Sequence, residues 1–370
     1  MNPQIKPDPD ATILCLNVGS SSVKGALYRH HAGTGLSPLS ANAVPAGPAA
    51  FDALLNLMPM SSGRGPDIVA HRVVHGGPDL TDHTMLDSNV RAQMEAATAF
   101  APLHLPAELV AIDAAALRYP GCIQIVCFDT AFHKSLPDIS RRLPIPQWAH
   151  DAGVRRYGFH GLSYESVVDQ IGANTMGRAI VAHLGGGASL AAINEGRSVD
   201  TTMGLTPTGG VVMATRSGDL DPGVLLHLQR RLELDVDAVE RLVDRESGLL
   251  GLSGSSGDVR VLLSQRGTDP AAALAVDTFC YSVRKAIGGL AAALGGLDCL
   301  VFTAGIGEHE PVIRSQICDG LRHIGVVLDA DRNLRGDATI SSSESSVDVR
   351  VVQTDENLMM AKHAIRLCQP

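Results

Sequence analysis

Two arginines, two carboxylates and one histidine stand where apolar runs of this chain give way to small residues. Arg72 lies in His71-Arg-Val-Val-His-Gly-Gly77, and Arg216 in Thr215-Arg-Ser-Gly-Asp-Leu-Asp-Pro222. A guanidinium grips a carboxylate or phosphate through two parallel hydrogen bonds. The plainer readings are a buried structural pair for Arg72 and a loop ion pair with Asp219 or Asp221 for Arg216. Asp129 closes the run 123–128 and precedes Thr-Ala-Phe-His133, and Glu356 sits in Thr354-Asp-Glu-Asn357. Carboxylates at the tips of parallel strands point into the crevice of an α/β sheet. With the Asn17 amide they form an oxygen donor set suited to Mg²⁺, although an acid after a strand also serves as a helix cap. His160, in Tyr157-Gly-Phe-His-Gly161, is either packed in a turn or a donor to a developing oxyanion.

Small-residue turns supply a second kind of chemistry. No GxxxxGK[ST] run occurs, which excludes a Walker phosphate loop. The stretch Asn17-Val-Gly-Ser-Ser-Ser-Val-Lys24 offers hydroxyls, backbone N–H groups and a cation. Only five lysines occur in the chain, and Lys24 is one of them. His183-Leu184-Gly185-Gly186-Gly187, Gly305-Ile306-Gly307-Glu308 and the 251–257 run ending in Asp258-Val259-Arg260 are further turns that leave main-chain N–H groups accessible to phosphate. One such turn is an ordinary β-turn; four at strand ends or beside an arginine fit a nucleotide.

These residues must be held by regular elements. Apolar runs predict strands over 11–16, 23–28, 68–74, 123–128, 180–184, 188–193, 198–202, 297–303 and 349–352. Helical spacing appears over 94–100, 107–117, 164–171 (Ser163 as its cap), 222–232, 239–244, 271–294 and 356–367. Residues 31–66 read as a Gly-, Pro- and Ser-rich loop with one helical patch at 51–58, and 141–157 as a connector. Ile13-Leu-Cys-Leu-Asn-Val-Gly-Ser echoes Ile180-Val-Ala-His-Leu-Gly-Gly-Gly. Each is strand, small-residue turn, strand, the pattern expected of two similar halves.

Composition narrows the classes. The 370 residues are 45% hydrophobic and 19% charged, enough for a large core, and the length favours two domains. A net charge of −9 and the absence of a basic block argue against nucleic acid and anionic membranes as partners. Seven scattered Cys without a CxxC pair read as reduced, buried thiols. The start lacks an apolar signal region and no run reaches a membrane span, so a cytoplasmic protein is expected.

Taken together, the segments NVGSSSVK, HRVVHGG, APLH, FDTAFH, YGFHG, HLGGGAS, SVDTTMGLTPTGG, TRSGDLDPG, SGLLG, VFTAGIGE and TDENL resemble the acetate kinase family, of the acetate and sugar kinase, Hsp70 and actin superfamily. The resemblance runs from about residue 12 to 364. It implies an α/β fold of two actin-like (ribonuclease H-like) domains with a nucleotide cleft between them. The expected domains are 11–133 plus 357–370, and 134–356. It implies transfer of the ATP γ-phosphoryl to acetate or propionate, reversibly, with Mg²⁺ or Mn²⁺ and ATP/ADP, feeding acetyl phosphate and acetyl-CoA synthesis in a homodimer. By motif, Asn17 and Glu356 serve the metal, Lys24 the phosphates, and Arg72 the substrate carboxylate. Asp129, His160 and Arg216 are catalytic, while Val74, Leu103, Phe159 and Pro207 enclose the acyl group. ATP touches His183–Gly187, Asp258, Val259, Arg260, and Gly305 to His309. Leu105, Leu162, Tyr164, Gly186, His309 and Asn357 depart from the family's usual residues.

The implied chemistry follows from charge. A carboxylate acceptor is already ionised and needs no general base, unlike a sugar hydroxyl. The site must instead bring two anions together, with Arg72 on the carboxylate and Lys24, Mg²⁺ and Arg216 on the phosphates. Asp129 then positions Mg²⁺ or its waters. A sugar or polyol kinase of the same superfamily would need a base and a polar pocket. An actin- or Hsp70-like ATP-driven binding module would need a further binding surface.

Overall fold

The computed structural model describes residues 10–19, 22–45, 47, 49–58 and 65–369. The chain divides into two compact units: residues 1–134, 160–166 and 355–370 form unit 1, and residues 135–159 and 167–354 form unit 2.

Unit 1 is built on a six-stranded sheet of order β3-β2-β1-β4-β6-β5. Its strands are β1 (Thr12–Val18), β2 (Ser22–His31), β3 (Gly35–Pro45), β4 (Ile68–Val73), β5 (Thr84–Met85) and β6 (Ile123–Phe128). β1, β2 and β3 form an antiparallel meander, and β1, β4 and β6 run parallel. Successive side chains on a strand point to opposite faces. Ile13 and Cys15 of β1 therefore pack against Met360, Ala361, Ala364 and Ile365 of the final helix, Glu356–Cys368. Leu14 and Leu16 turn to the other face, against Leu54 and Leu55 of helix Ala50–Leu57 and against Ala115 and Tyr119. Burial on both faces is why β1 reads as one continuous apolar run.

The strand β3 falls in the stretch expected to be a loop. It is an edge strand, with a register shift opposite Leu27 and Tyr28 that lets Pro38 pair with Tyr28. Edges and bulges are where a sheet tolerates proline, so its sequence carries a loop-like composition.

Unit 2 carries a five-stranded sheet of order β11-β10-β7-β8-β9. Its strands are β7 (Arg178–Leu184), β8 (Ala188–Asn194), β9 (Arg197–Thr201), β10 (Cys299–Thr303) and β11 (Asp348–Val351). It too is an antiparallel meander, β7-β8-β9, extended on the other side of its first strand by two parallel strands. β1 and β7 thus hold the same place in their sheets, as the echo between residues 13 and 180 predicts. Helix Pro270–Leu294 buries Phe279, Val283, Ile287 and Leu290. Asp269 caps its start, accepting from Ala271 N–H, and Gly295, at φ 68°, ends it.

The expected glycine turn after β10 is instead a short helix, Ala304–His309. Its carbonyl end is held by Arg314, only 1% exposed. Arg314 donates from Nη1 to the Gly307 and Glu308 carbonyls, both at 2.9 Å. Its Nε and Nη2 reach Asn333 Oδ1 at 2.8 Å and the Asn333 carbonyl at 2.7 Å. Burial lowers its pKa, yet the ring of acceptors satisfies the charge. Arg314→Met takes the donor from the Gly307 and Glu308 carbonyls and from Asn333 Oδ1, at about 1–3 kcal/mol for each acceptor left unpaired, while the Asn333 carbonyl keeps the Gly336 N–H. We expect calorimetry to show a Tm at least ~6 °C below that of the parent protein.

Candidate functional site

Parallel pairing aligns the C-terminal ends of β1, β4 and β6, and the polar residues of unit 1 gather there. Leu16 of β1 pairs with His71 of β4, which sets Asn17 beside Arg72. The Asp129 N–H continues the ladder, donating to the Val73 carbonyl at 2.9 Å. Arg72 then forks onto Asp129, Nε to Oδ1 at 3.0 Å and Nη2 to Oδ2 at 2.5 Å. Its Nη1 donates to Asn17 Oδ1 at 3.0 Å. Asn17 Nδ2 donates to Glu356 Oε2 at 2.7 Å, and that oxygen lies 4.0 Å from Arg72 Nε. Glu356 opens the final helix, where Asp355 caps by accepting from Leu358 N–H. Four residues from three strand ends and one helix start thus form one connected network.

The network is buried: Asp129 is 1% and Asn17 6% exposed. Burial works against the Arg72 charge, but Asp129 and Glu356 outweigh it and its pKa rises. Burial is also the largest influence on Asp129, pushing it up, and the Arg72 fork pulls it back. Arg72 therefore spends three of its five N–H groups inside the network.

Asp129 is further fixed by the segment that follows Phe159. Its carboxylate accepts the His160 N–H, and its carbonyl accepts the Gly161 N–H at 3.0 Å. His160 holds a left-handed φ of 58°, a strain of about 1–3 kcal/mol for a non-glycine residue. A Cβ on Gly161 would run into the Asp129 carbonyl, so glycine alone allows this approach. Helix Gly161–Ile171 begins here, two residues before the expected Ser163 cap. Lys24 is exposed on β2 opposite Asn17, and Ser20 and Ser21 lie outside the described residues. Val74 is buried after β4, and Leu103 is half-buried ahead of helix Leu105–Arg118.

Unit 2 holds the other candidates. His183 and Leu184 end β7, and the Gly185–Gly187 turn closes with Gly185 N–H donating to the Gly187 carbonyl at 3.0 Å. Gly186 is exposed, and its carbonyl accepts from Ala214 N–H at 3.1 Å. Asp258 caps helix Val259–Gln265, and Arg260 folds back onto it at 2.6 Å, holding its carboxyl below the usual range. Glu308 accepts from Ala304 N–H at 2.9 Å, while Gly305, Ile306, Gly307 and His309 continue the short helix. Arg216 Nη1 donates to the carbonyl of buried Pro207 at 3.2 Å. Asp219 accepts from Gly210 N–H at 2.7 Å, and Asp221 caps helix Pro222–Leu232 through Gly223 N–H. Gly248, at φ 64°, lets the backbone pack against Met213 and Arg216. Phe159 is also buried in this unit.

Three of the unusual residues lie in the core. Leu105, Leu162 and Tyr164 are fully buried, Leu162 in the cluster under the final helix and Tyr164 against Phe132 and His133. One acid escaped the sequence reading. Glu108, 2% exposed, accepts the Val74 N–H through Oε2 at 3.1 Å, and its buried Oε1 has no partner among the described residues. Burial pushes its pKa up to about 8 despite Val74 and Arg72. In sequence it is an ordinary acid in a helix's first turn.

Two sheets of one topology, each with polar residues at its strand ends, define an actin-like α/β fold. The acetokinase family model matches residues 41–362, and the chain belongs to that family. Acetate kinase from Rhodopseudomonas palustris is 41% identical over 96% of this chain and 98% of its own. Acetate kinase from Nitrobacter hamburgensis is 46% identical over 82% and 75%. Among solved structures, Porphyromonas gingivalis acetate kinase superposes with a TM-score of 0.83 at 34% identity, over 97% of this chain and all of that one. A propionate kinase from Francisella tularensis gives 0.84 at 31%, over 96% of this chain and all of its own.

The Glu108 geometry has a pH consequence. Ionising a carboxyl raised from 4.5 to about 8 costs more in the folded state than in the unfolded one. Its contribution is best below pH ~4.5 and declines as pH rises through about 8. Gln cannot ionise and keeps the Val74 bond. The Tm of Glu108→Gln relative to the parent should therefore climb between pH 5 and pH 9, by roughly 2–4 °C for each kcal/mol recovered. A difference independent of pH would show Glu108 to be ionised throughout.

Proposed function

We propose that this enzyme transfers the γ-phosphoryl of ATP to the carboxylate of acetate or propionate, giving acyl phosphate and ADP reversibly. The observation that carries the reading is the Arg72–Asp129–Asn17–Glu356 network at the strand ends of unit 1. Family membership supplies the reaction class.

Each residue's task follows from its chemistry. Arg72 keeps two N–H groups beyond the network, directed to an oxygen of the substrate carboxylate. Asp129 holds that guanidinium in one plane, and His160 and Arg216 donate to the phosphoryl oxygens as charge spreads over them. No group removes a proton from the acceptor, because a carboxylate has none to lose. Val74, Leu103, Phe159 and Pro207 set the acyl size limit. Lys24, His183–Gly187, Asp258 to Arg260 and Gly305 to His309 bind ATP.

The donors fit Mg²⁺: carboxylate and amide oxygens, with no thiolate or imidazole in the network. Asn17 and Glu356 would hold the ion, with Asp129 behind them, and Mn²⁺ has the same ligand taste. When bound, the ion neutralises phosphate charge. No described helix is long and apolar enough to cross a membrane, and we place the enzyme in the cytoplasm. A homodimer would form through unit 2, where Leu220, Val224, Leu226, Leu232 and Val236 are exposed.

The purified protein should form hydroxylamine-trappable acyl phosphate from ATP, Mg²⁺ and acetate, and lose this activity in EDTA. Turnover that persists in EDTA, or is driven by hexose or glycerol and by no short carboxylate, contradicts the reading. Arg216→Ala should lower kcat by ~10³ with a modest change in KM, since its contact matters mainly in the transition state.

Substrate size provides a separate measurement. One extra buried CH₂ gains about 0.8 kcal/mol where space exists, whereas overfilling costs ~1–3 kcal/mol. Acetate and propionate should both react, and butyrate poorly. Val74→Ala should raise the butyrate-to-acetate ratio of kcat/KM; an unchanged ratio removes Val74 from the acyl wall.

A further inference from the structure

A second polar cluster of unit 1 lies outside this network. Glu165, on helix Gly161–Ile171, accepts from His83 Nε2 through Oε1 at 3.2 Å and from His363 Nε2 through Oε2 at 2.5 Å. Both histidines are 7% exposed, and their rings lie 4.0 Å apart. Burial is the largest influence on Glu165 and would raise it, but the two histidine bonds together hold its carboxyl at about 2.

Histidines and a carboxylate converging this closely have the composition of a metal site. The proton positions point elsewhere. His83 Nδ1 accepts the Phe128 N–H at 3.1 Å, so the proton of the neutral ring sits on Nε2. A nitrogen that bears a proton has no lone pair for a metal. Metal-bound histidines show the opposite pattern, with the far nitrogen donating. The cluster is a chain of hydrogen bonds: Phe128 N–H to His83, His83 to Glu165, and His363 to Glu165.

Each end of that chain leads to the candidate site. Phe128 immediately precedes Asp129. Glu165 lies one helical turn beyond Gly161, whose N–H holds the Asp129 carbonyl. His363 lies two turns beyond Glu356 on the final helix. Ser166, next to Glu165, accepts the Asp355 N–H through Oγ at 2.9 Å, a second tie to the residue before Glu356.

We infer that Glu165 is a positioning residue for phosphoryl transfer, which sets Asp129, His160 and Glu356 relative to one another by joining the three elements that carry them. The inference rests on the functional reading given above. A carboxylate suits the task because its two oxygens can accept from both imidazoles at once, while the His83 proton is fixed by Phe128. Displacing reacting groups by 1 Å can cost 10²-fold in rate.

Glu165→Ala in the full-length enzyme should lower kcat by ~10–10². It should also raise the Mg²⁺ concentration for half-maximal rate several-fold, with the KM for ATP at saturating Mg²⁺ little changed. Glu165→Gln should recover most of the rate, because the amide oxygen still accepts from His83 while its NH₂ can donate to the other His363 tautomer. A merely structural role would lower Tm without this split or rescue. Hydrogen exchange gives a readout without activity: the Phe128 amide should exchange at least tenfold faster in Glu165→Ala. Unchanged Phe128 exchange, or a kcat within twofold of an active parent, overturns the inference. Stoichiometric zinc that is lost in His363→Ala overturns it as well. A parent enzyme that forms no acyl phosphate brings down the functional reading and this role together, and the exchange measurement still reports whether the linkage exists.

Discussion

A guanidinium and a carboxylate shut away from water constrain everything else in unit 1. Burying an ion pair costs several kcal/mol per ion unless geometry and further hydrogen bonds compensate. Arg72 and Asp129 meet that condition through a two-point fork, and their surroundings supply the rest. Asn17 takes a third guanidinium proton, His160 N–H reaches the carboxylate, and Gly161 yields its side-chain volume so that the backbone can come close. The strained φ of His160 is affordable only because so many bonds fix the segment around it.

Charge explains why the network needs help from outside itself. Arg72 contributes +1, Asp129 and Glu356 contribute −2, and the formal sum is −1. An arriving carboxylate or phosphate meets two carboxylates set against one guanidinium, which is why the function proposed above calls on a divalent cation and further cations to bring two anions together. Glu108 fits the same logic. Burial pushes its carboxyl up to about 8, which favours the neutral form beside Arg72.

Much of this was legible because periodicity and chemistry agreed. The helix predicted over 271–294 matches Pro270–Leu294 to within a residue, since its Asp-Pro start, buried Phe279–Val283–Ile287 stripe and Gly295 end point the same way. The strand ends carrying Asn17 and Asp129 were readable from apolar runs that stop at polar residues, and the helix that Glu356 opens from its apolar spacing. What escaped depended on distant partners. β3 reads as a loop because an edge strand tolerates proline. The helix at Ala304 reads as a glycine turn because Arg314 and Asn333, which hold it, lie further along the chain. Glu108, His83, Glu165 and His363 look like surface charges until the sheet assembles around them. That Arg72 grips Asp129 rather than standing open likewise needed coordinates, since nothing local in HRVVHGG names the partner.

The order in which the chain is made gives the discontinuity of unit 1 a temporal meaning. Its sheet strands come first, the Gly161 segment is inserted partway through, and the helix bearing Glu356 follows all of unit 2. Until that helix docks, Ile13, Cys15 and Ile125 lack the cover of Met360, Ala361, Ala364 and Ile365, and Asn17 lacks its acceptor. Assembly of the network therefore waits until all of unit 2 has been made. On a chain made from its N-terminus, an apolar sheet face thus waits through the synthesis of unit 2 for the helix that completes its cover.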